Sequence, residues 1–334
     1  MLSSGDKIFF TLITGEFLLG ILVNGFIALV NCIDWIKNKK LSPSDLIVLS
    51  LAISRIVFSC VGLWEGYLIA VSIGVPIKDK IRITDILMVL IHNSNIWFTT
   101  LLSIFFFLKI TNFSHPLFLW MKWRIDRMVF KFLVGPLIIS FCISFTVMER
   151  MYYHYGNIVS REKESNVSQE IQMSKNMLLM FHILFGLVSL IPFILSAISL
   201  SLFILSLWRH NQQMQLNATG SRDPSAVAHV RAMKAVSSLL IFLLLYYIGF
   251  YFNYWSHTKP QSKLSFMLSI LIMLLYPFGH SLILILWNSK LRKAALRMAW
   301  MMRYCQREIQ LQVLWVPLRM VCQFLGGKMS SWSP

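Results

Sequence analysis

The sequence predicts an all-α membrane protein: a bundle of seven transmembrane helices with its N-terminus outside and its C-terminus in the cytoplasm. Three observations carry this. Of the 334 residues, 57% are hydrophobic and only 13% are charged, where soluble domains average roughly 45–50% and about a quarter. The apolar residues fall into runs of about 20 or more, long enough to cross about 30 Å of hydrocarbon. Basic residues gather between alternate runs. The short alternating pattern of a membrane barrel is missing from these runs.

In chain order the expected spans are 8–33, 46–71, 86–108, 128–148, 177–207, 235–256 and 264–287. The first follows Asp6 and Lys7 and is too long for a cleaved signal. The second has Pro43 at a first-turn position. The third ends at Lys109 and gives way to a basic, aromatic loop with His115, Pro116, Lys122 and Arg124. Pro136, Pro192 and Pro277 fall inside spans, where neighbouring helices compensate the lost hydrogen bond. After the seventh span, Leu291, Ala295, Met298 and Met302 share one helical face, opposite Lys290, Lys293 and Arg297. That pattern suits a membrane-surface helix over about 290–303, with Cys305 a candidate palmitoylation site. Residues 304–334 read as a cytoplasmic tail without an assigned role.

Charge sets the orientation. With the N-terminus outside, the inner segments hold 20 of the 31 Lys and Arg residues, the bias expected of cytoplasmic loops. Asn112, Asn166 and Asn217 each begin an N-x-S/T sequon. Only Asn166 falls in an outer loop, so it is the expected glycosylation site.

Polar residues inside the spans carry the functional signal, because ionisable groups at membrane depth face a bundle interior or a wet cavity. Arg55 lies ten residues into the helix from Asp45, about 15 Å along its axis and so near mid-depth. Asn24 in the first span and His280 or Ser281 in the seventh stand at similar depth, and a polar clasp across three helices is expected. Glu65 lies near the outer boundary of the same helix, where it either anchors a cationic ligand or reaches headgroups and water. His92, Asn93 and Asn95 make the outer half of the third span polar, as a hydrated ligand cavity would be. Tyr246, Tyr247 and Phe250 of the sixth span are placed to line its opposite wall.

A net charge of +17 comes without any basic soluble domain that would bind nucleic acid. It suits loops facing anionic lipid. The sequence holds no carboxylate pair at membrane depth, no nucleophile with a positioned base and no glycine-rich phosphate loop, which argues against an enzyme. Nor does it show metal-ligand spacing or call for a cofactor. A transporter or channel would show inverted repeats, paired broken helices or a charged pore ring. A pheromone-type chemoreceptor is the nearer alternative.

The stretches GILVNGFIALVNCIDW, LSPSDLIVLSLAISRI, LSIFFFLKITNFSHPLFLWMKWRI, LSLWRH, MQLNATGSRDPSAVAHVRAMKAV and YPFGHSLILIL with NSKLR closely resemble the bitter taste receptors, the type 2 taste receptor family of G-protein-coupled receptors. The resemblance spans about residues 8–300. It implies a multi-pass plasma-membrane receptor for bitter small molecules that signals through a gustducin-type heterotrimeric G protein to phospholipase C and calcium release. It implies an activation network at Asn24, Arg55 and Ser281, and a glycosylated Asn166. The implied pocket positions are Met88, Val89, His92, Asn93 and Ile270. The G-protein-facing positions are Phe106, Lys109, Leu205, Ser206, Leu207, His229 and Lys234. This chain departs from the family pattern where relatives carry Trp (Met88), Asn-His (His92-Asn93), Tyr (Phe106) and a small residue (Trp287).

Overall fold

Helices account for nearly all of the computed structural model, which describes residues 4–71, 78–111, 114–160, 167–217, 224–258 and 263–324. They are α1 (Ser4–Asn38), α2 (Pro43–Val71), α3 (Lys78–Ile110), α4 (Pro116–Ser160), α5 (Val167–Asn217), α6 (Pro224–Thr258), α7 (Lys263–Trp287) and α8 (Ser289–Phe324). No strand occurs among the described residues. Each of the seven expected spans falls inside one of α1–α7. Two compact units make up the chain, Met1–Ile283 and Leu284–Pro334.

Local chemistry sets the helix ends. Lys39 closes α1 in the left-handed region, at φ 53°, and its N–H donates to Trp35 O at 2.7 Å. Ser42 caps α2, its Oγ accepting the Asp45 N–H at 3.1 Å, while Asp45 complements the positive end of the helix dipole. Pro43, Pro116 and Pro224 each open a helix, where the missing N–H would have had no intrahelical partner. Within the second unit, Asn288 Oδ1 accepts from Lys290 N and Leu291 N at 2.9 and 3.2 Å and caps α8. That helix continues to Phe324, well past the surface segment expected to end near residue 303. Helix-forming Arg, Gln, Glu and Leu residues predominate just beyond that point.

Among the described residues six stretches are long and apolar enough to cross a membrane: Lys7–Asn38, Pro43–Trp64, Leu90–Ile110, Ser189–Gln213, Met233–Phe252 and Leu268–Trp287. The expected fourth span lies on α4, where the side chains past Phe145 are outside the described set. Of the six, Leu90–Ile110 has the lowest mean hydropathy, 1.2, and the largest buried share, 72%. It is the centre of the bundle. Helix α3 packs against α2, α4 and α5, and its side chains bond to α6 and α7.

The bundle's polarity is that of a protein dissolved in lipid. Leu22, Phe130, Ile139 and Ile248 point outward and are more than half exposed. In water such a surface would aggregate, but in hydrocarbon it costs nothing. Asn24, Arg55, Asn95 and Ser281 point inward and are fully buried. Close α6–α7 packing depends on two glycines. A Cβ on Gly249 would meet Ile272 Cγ2 at 2.9 Å, and one on Gly279 would run into the Phe242 ring.

Gly279→Ala is therefore expected to lower stability by about 1–3 kcal/mol, the usual cost of overpacking. Thermal unfolding in detergent checks this. Adding Phe242→Leu should recover most of the loss, while Gly25→Ala, where nothing lies within 4 Å of the new methyl, should be nearly neutral.

Candidate functional site

A guanidinium in hydrocarbon has five N–H donors to satisfy. Arg55 on α2 is 0% exposed, and the bundle brings acceptors to it from two sides. Its Nη1 donates to Ser281 Oγ on α7 at 2.7 Å. Its Nε donates to Asn95 Oδ1 on α3 at 3.3 Å. Ser281 in turn donates to Asn24 Oδ1 on α1 at 2.7 Å. A hydroxyl can accept and donate at once, so Ser281 relays the charge of Arg55 to a third helix. Asn24 anchors itself by donating Nδ2 to Gly20 O at 2.9 Å. Desolvating one such cation costs several kcal/mol, and hydrogen bonds to a charged group return about 1.5–3 kcal/mol each.

The expected clasp joined α1, α2 and α7. The structure adds α3 through Asn95, which the sequence placed in the ligand cavity. The two readings differ by one helical step. His92 and Asn95 are three residues apart and share a face, but 4.5 Å of rise along the axis separates them. His280 is buried beside Ser281 in the chain. Its ring centroid lies 5.4 Å from that of Tyr276.

An aromatic column climbs from the clasp. The Tyr276 ring centroid lies 5.4 Å from Arg55 Cζ, and the Tyr276 hydroxyl donates to Thr99 Oγ1 on α3 at 3.0 Å. Tyr276 packs on Tyr246 of α6 at 4.9 Å between centroids. The Tyr246 hydroxyl and His92 Nδ1 share a hydrogen bond of 2.5 Å. Phe250 stacks on the His92 ring at 4.4 Å between centroids. Tyr276 and Thr99 were missed as site residues because an aromatic or a threonine in a span reads as packing. Their spacing from His280 and Asn95, four residues in each case, was the available signal.

The remaining expected pocket residues are placed as follows. Asn93 is buried on α3 and Ile270 is half-buried on α7. Glu65 lies on α2 and Met88 and Val89 lie on α3, with side chains outside the described set. Asn166 falls outside the described residues, as does Asn112. On the far wall, Tyr247 donates to Ser189 O at 2.8 Å and Tyr251 to Gly186 O at 3.0 Å. These bonds tie α6 to the part of α5 just before Pro192. Thr100 holds the same segment from α3, with its Oγ1 3.0 Å from Pro192 O and 2.8 Å from Ser196 Oγ.

At the other end of α3, Lys109 pairs with Asp126 of α4 at 2.5 Å and lies 5.7 Å from the Phe105 ring centroid. Lys122 donates to Thr111 O at 2.9 Å, closing the short connection between the two helices. Phe106 stands edge-on to Phe105 at 6.3 Å. On α5, Leu205 is exposed, Ser206 is half-buried and Leu207 is buried. On α6, Lys234 is exposed and its carbonyl accepts from Ser238 Oγ at 2.9 Å, while the His229 side chain is outside the described set.

The Ser281 relay predicts energetic coupling between helices that are adjacent in space but remote in sequence. In a double-mutant cycle of Asn24→Ala and Ser281→Ala, the coupling read from thermal unfolding should be about 0.6–1.7 kcal/mol, the range for interhelical hydrogen bonds in membranes.

A family model described as "Taste receptor protein (TAS2R)" matches residues 1–303. Taste receptor type 2 member 7 of Macaca mulatta is 44% identical over 299 residues, covering 88% of this chain and 94% of the relative. Taste receptor type 2 member 8 of Homo sapiens is also 44% identical over 299 residues, covering 89% and 97%. Member 7 of Pan paniscus is 43% identical over the same length. With apolar helices of this length around a buried polar core, the chain is a seven-helix, multi-pass membrane protein belonging to the type 2 taste receptor family.

Proposed function

We propose that this protein is a receptor for bitter small molecules at the plasma membrane, coupled through a gustducin-type heterotrimeric G protein to phospholipase C and calcium release. The match of residues 1–303 to the taste receptor family is the observation that carries this reading. Agonists would enter the outer half of the bundle, among Met88, Val89, His92, Asn93, Tyr246, Phe250 and Ile270, with Glu65 available to a cationic one. The inner ends of α3, α5 and α6, with Phe106, Lys109, Leu205, Ser206, Leu207, His229 and Lys234, would face the G protein.

The contacts suggest how the two ends communicate. An agonist shifts a receptor only by contacting one helix arrangement more strongly than another. His92 and Tyr246 hold α3 to α6 through one short hydrogen bond, and Tyr246 packs on Tyr276, which lies against Arg55. A ligand that displaces the His92–Tyr246 pair would therefore press on the clasp. Repacking there moves α7 and α1 relative to α2 and α3, and with them the inner helix ends.

Cells carrying the receptor and a promiscuous G protein should give calcium responses to members of a bitter-compound panel. Silence across a broad panel, from a receptor present at the surface, would refute the bitter reading in favour of another chemoreceptor class. Arg55→Ala should abolish these responses while leaving part of the surface expression, and normal responses would rule out a switching role for the clasp.

The same reading places the N-terminus outside and Asn166 in the second outer loop, in keeping with the excess of basic residues in the opposite loops. Asn166→Gln should remove the glycosidase-sensitive mobility shift of the full chain. If the shift survives there and disappears with Asn112→Gln, the orientation is reversed.

A further inference from the structure

The charge of Arg55 is bonded but not balanced. Each of its hydrogen-bond partners, Ser281 and Asn95, is neutral, as is Asn24 behind them. Among the described residues Lys109–Asp126 is the ion pair present, and it lies at the end of α3. Glu16, half-buried on α1, leaves Oε2 without a partner. Two donors at the clasp are also unmatched among the described residues, Arg55 Nη2 and Asn95 Nδ2.

These two donors belong to side chains that are already bonded to each other. In a planar guanidinium Nε–H and Nη2–H point in parallel from one edge, the fork that takes a carboxylate or another bidentate acceptor. Nε is bonded to Asn95 Oδ1, so that edge faces the Asn95 amide, whose own Nδ2–H is the second unmatched donor; the Tyr276 ring lies against the same guanidinium, 5.4 Å from Cζ. His280 Nδ1, buried next to Ser281 in the chain, is a third group without a partner. In its Nδ1–H tautomer it is one more donor. A neutral water could accept these bonds but would leave the buried charge uncompensated. An anion does both.

We propose that a small monovalent anion of the halide class, chloride in a cell, binds at the edge of the Arg55 guanidinium that faces Asn95. It acts as the counterion of the clasp and holds α2, α3 and α7 together. The site is separate from the agonist cavity, and its occupancy adds a stability term set by the halide concentration.

The test uses the full-length receptor in nanodiscs of neutral lipid, with sodium chloride exchanged for sodium gluconate at constant ionic strength. The melting temperature should rise saturably with chloride, by about 5 °C when chloride reaches about 100 times its Kd, and bromide should act the same way. Asn95→Asp places a carboxylate at that edge. This variant should melt in gluconate close to where the wild type melts in chloride, and should ignore the halide. Equal wild-type melting in the two salts would overturn the proposal and assign the donors to water. An undiminished chloride effect in Asn95→Asp would overturn it by placing the effect at the protein surface. Independently of any variant, bromide should give anomalous density beside Arg55 Nη2, and a map without that peak would overturn the site.

Discussion

A guanidinium at the centre of a membrane protein cannot be left without acceptors, and the arrangement of this bundle follows from that constraint. Arg55 reaches no water, so neighbouring helices must present oxygen to it at one depth. Ser281 and Asn95 do so directly, and Asn24 does so through the Ser281 hydroxyl. In doing so they fix the rotation and register of α1, α2, α3 and α7 relative to one another. Apolar packing alone would not, since lipid tails are as apolar as leucine and leave little to choose between one helix contact and another. The polar core is thus what makes the fold specific, and the greasy exterior only makes it soluble in lipid.

Helix α3 is the element on which this specificity converges. Its buried face carries His92, Asn93, Ser94, Asn95, Thr99, Thr100 and Ser103, and these side chains bond to every helix around it that the hydrogen bonds reveal. Ser94, Thr99, Thr100 and Ser103 return a bond to the carbonyl one turn back, so their oxygens are satisfied even where no neighbour is in reach. Thr99 and Thr100 make a second bond outward, to Tyr276 and to Ser196. A helix with a lower mean hydropathy than its neighbours is tolerated in a membrane because these neighbours shield it from lipid.

The two ends of α3 are held with very different strength. At the clasp, buried charge-assisted bonds share one rigid network. Near Lys109, the pair with Asp126 is between side chains that are 38% and 44% exposed, where an ion pair contributes about 0–1 kcal/mol. The Lys109–Asp126 pair can be given up at little cost, whereas removing Arg55 or an acceptor bonded to it would force the surrounding helices to repack. One end of α3 is therefore loosely held, while the core around Arg55 keeps a single architecture.

Sequence by itself determined the class of the molecule. Run lengths, the scarcity of charge and the placement of basic loops require membrane-crossing helices, because unpaired backbone groups cannot remain in hydrocarbon. It also singled out Arg55, since a cation in an apolar run is conspicuous whatever surrounds it. Only the tertiary structure decided who answers that cation. Asn95 stands beside His92 and Asn93 in the chain and was grouped with them as cavity lining, yet the rise of the helix carries it down to Arg55 and leaves His92 with Tyr246. Tyr276 and Thr99 gave no signal of their own, for an isolated aromatic or hydroxyl is ordinary in a span. Depth along an axis can be counted from sequence, but rotation between helices cannot. It is set by how side chains from different helices satisfy one another once they are packed.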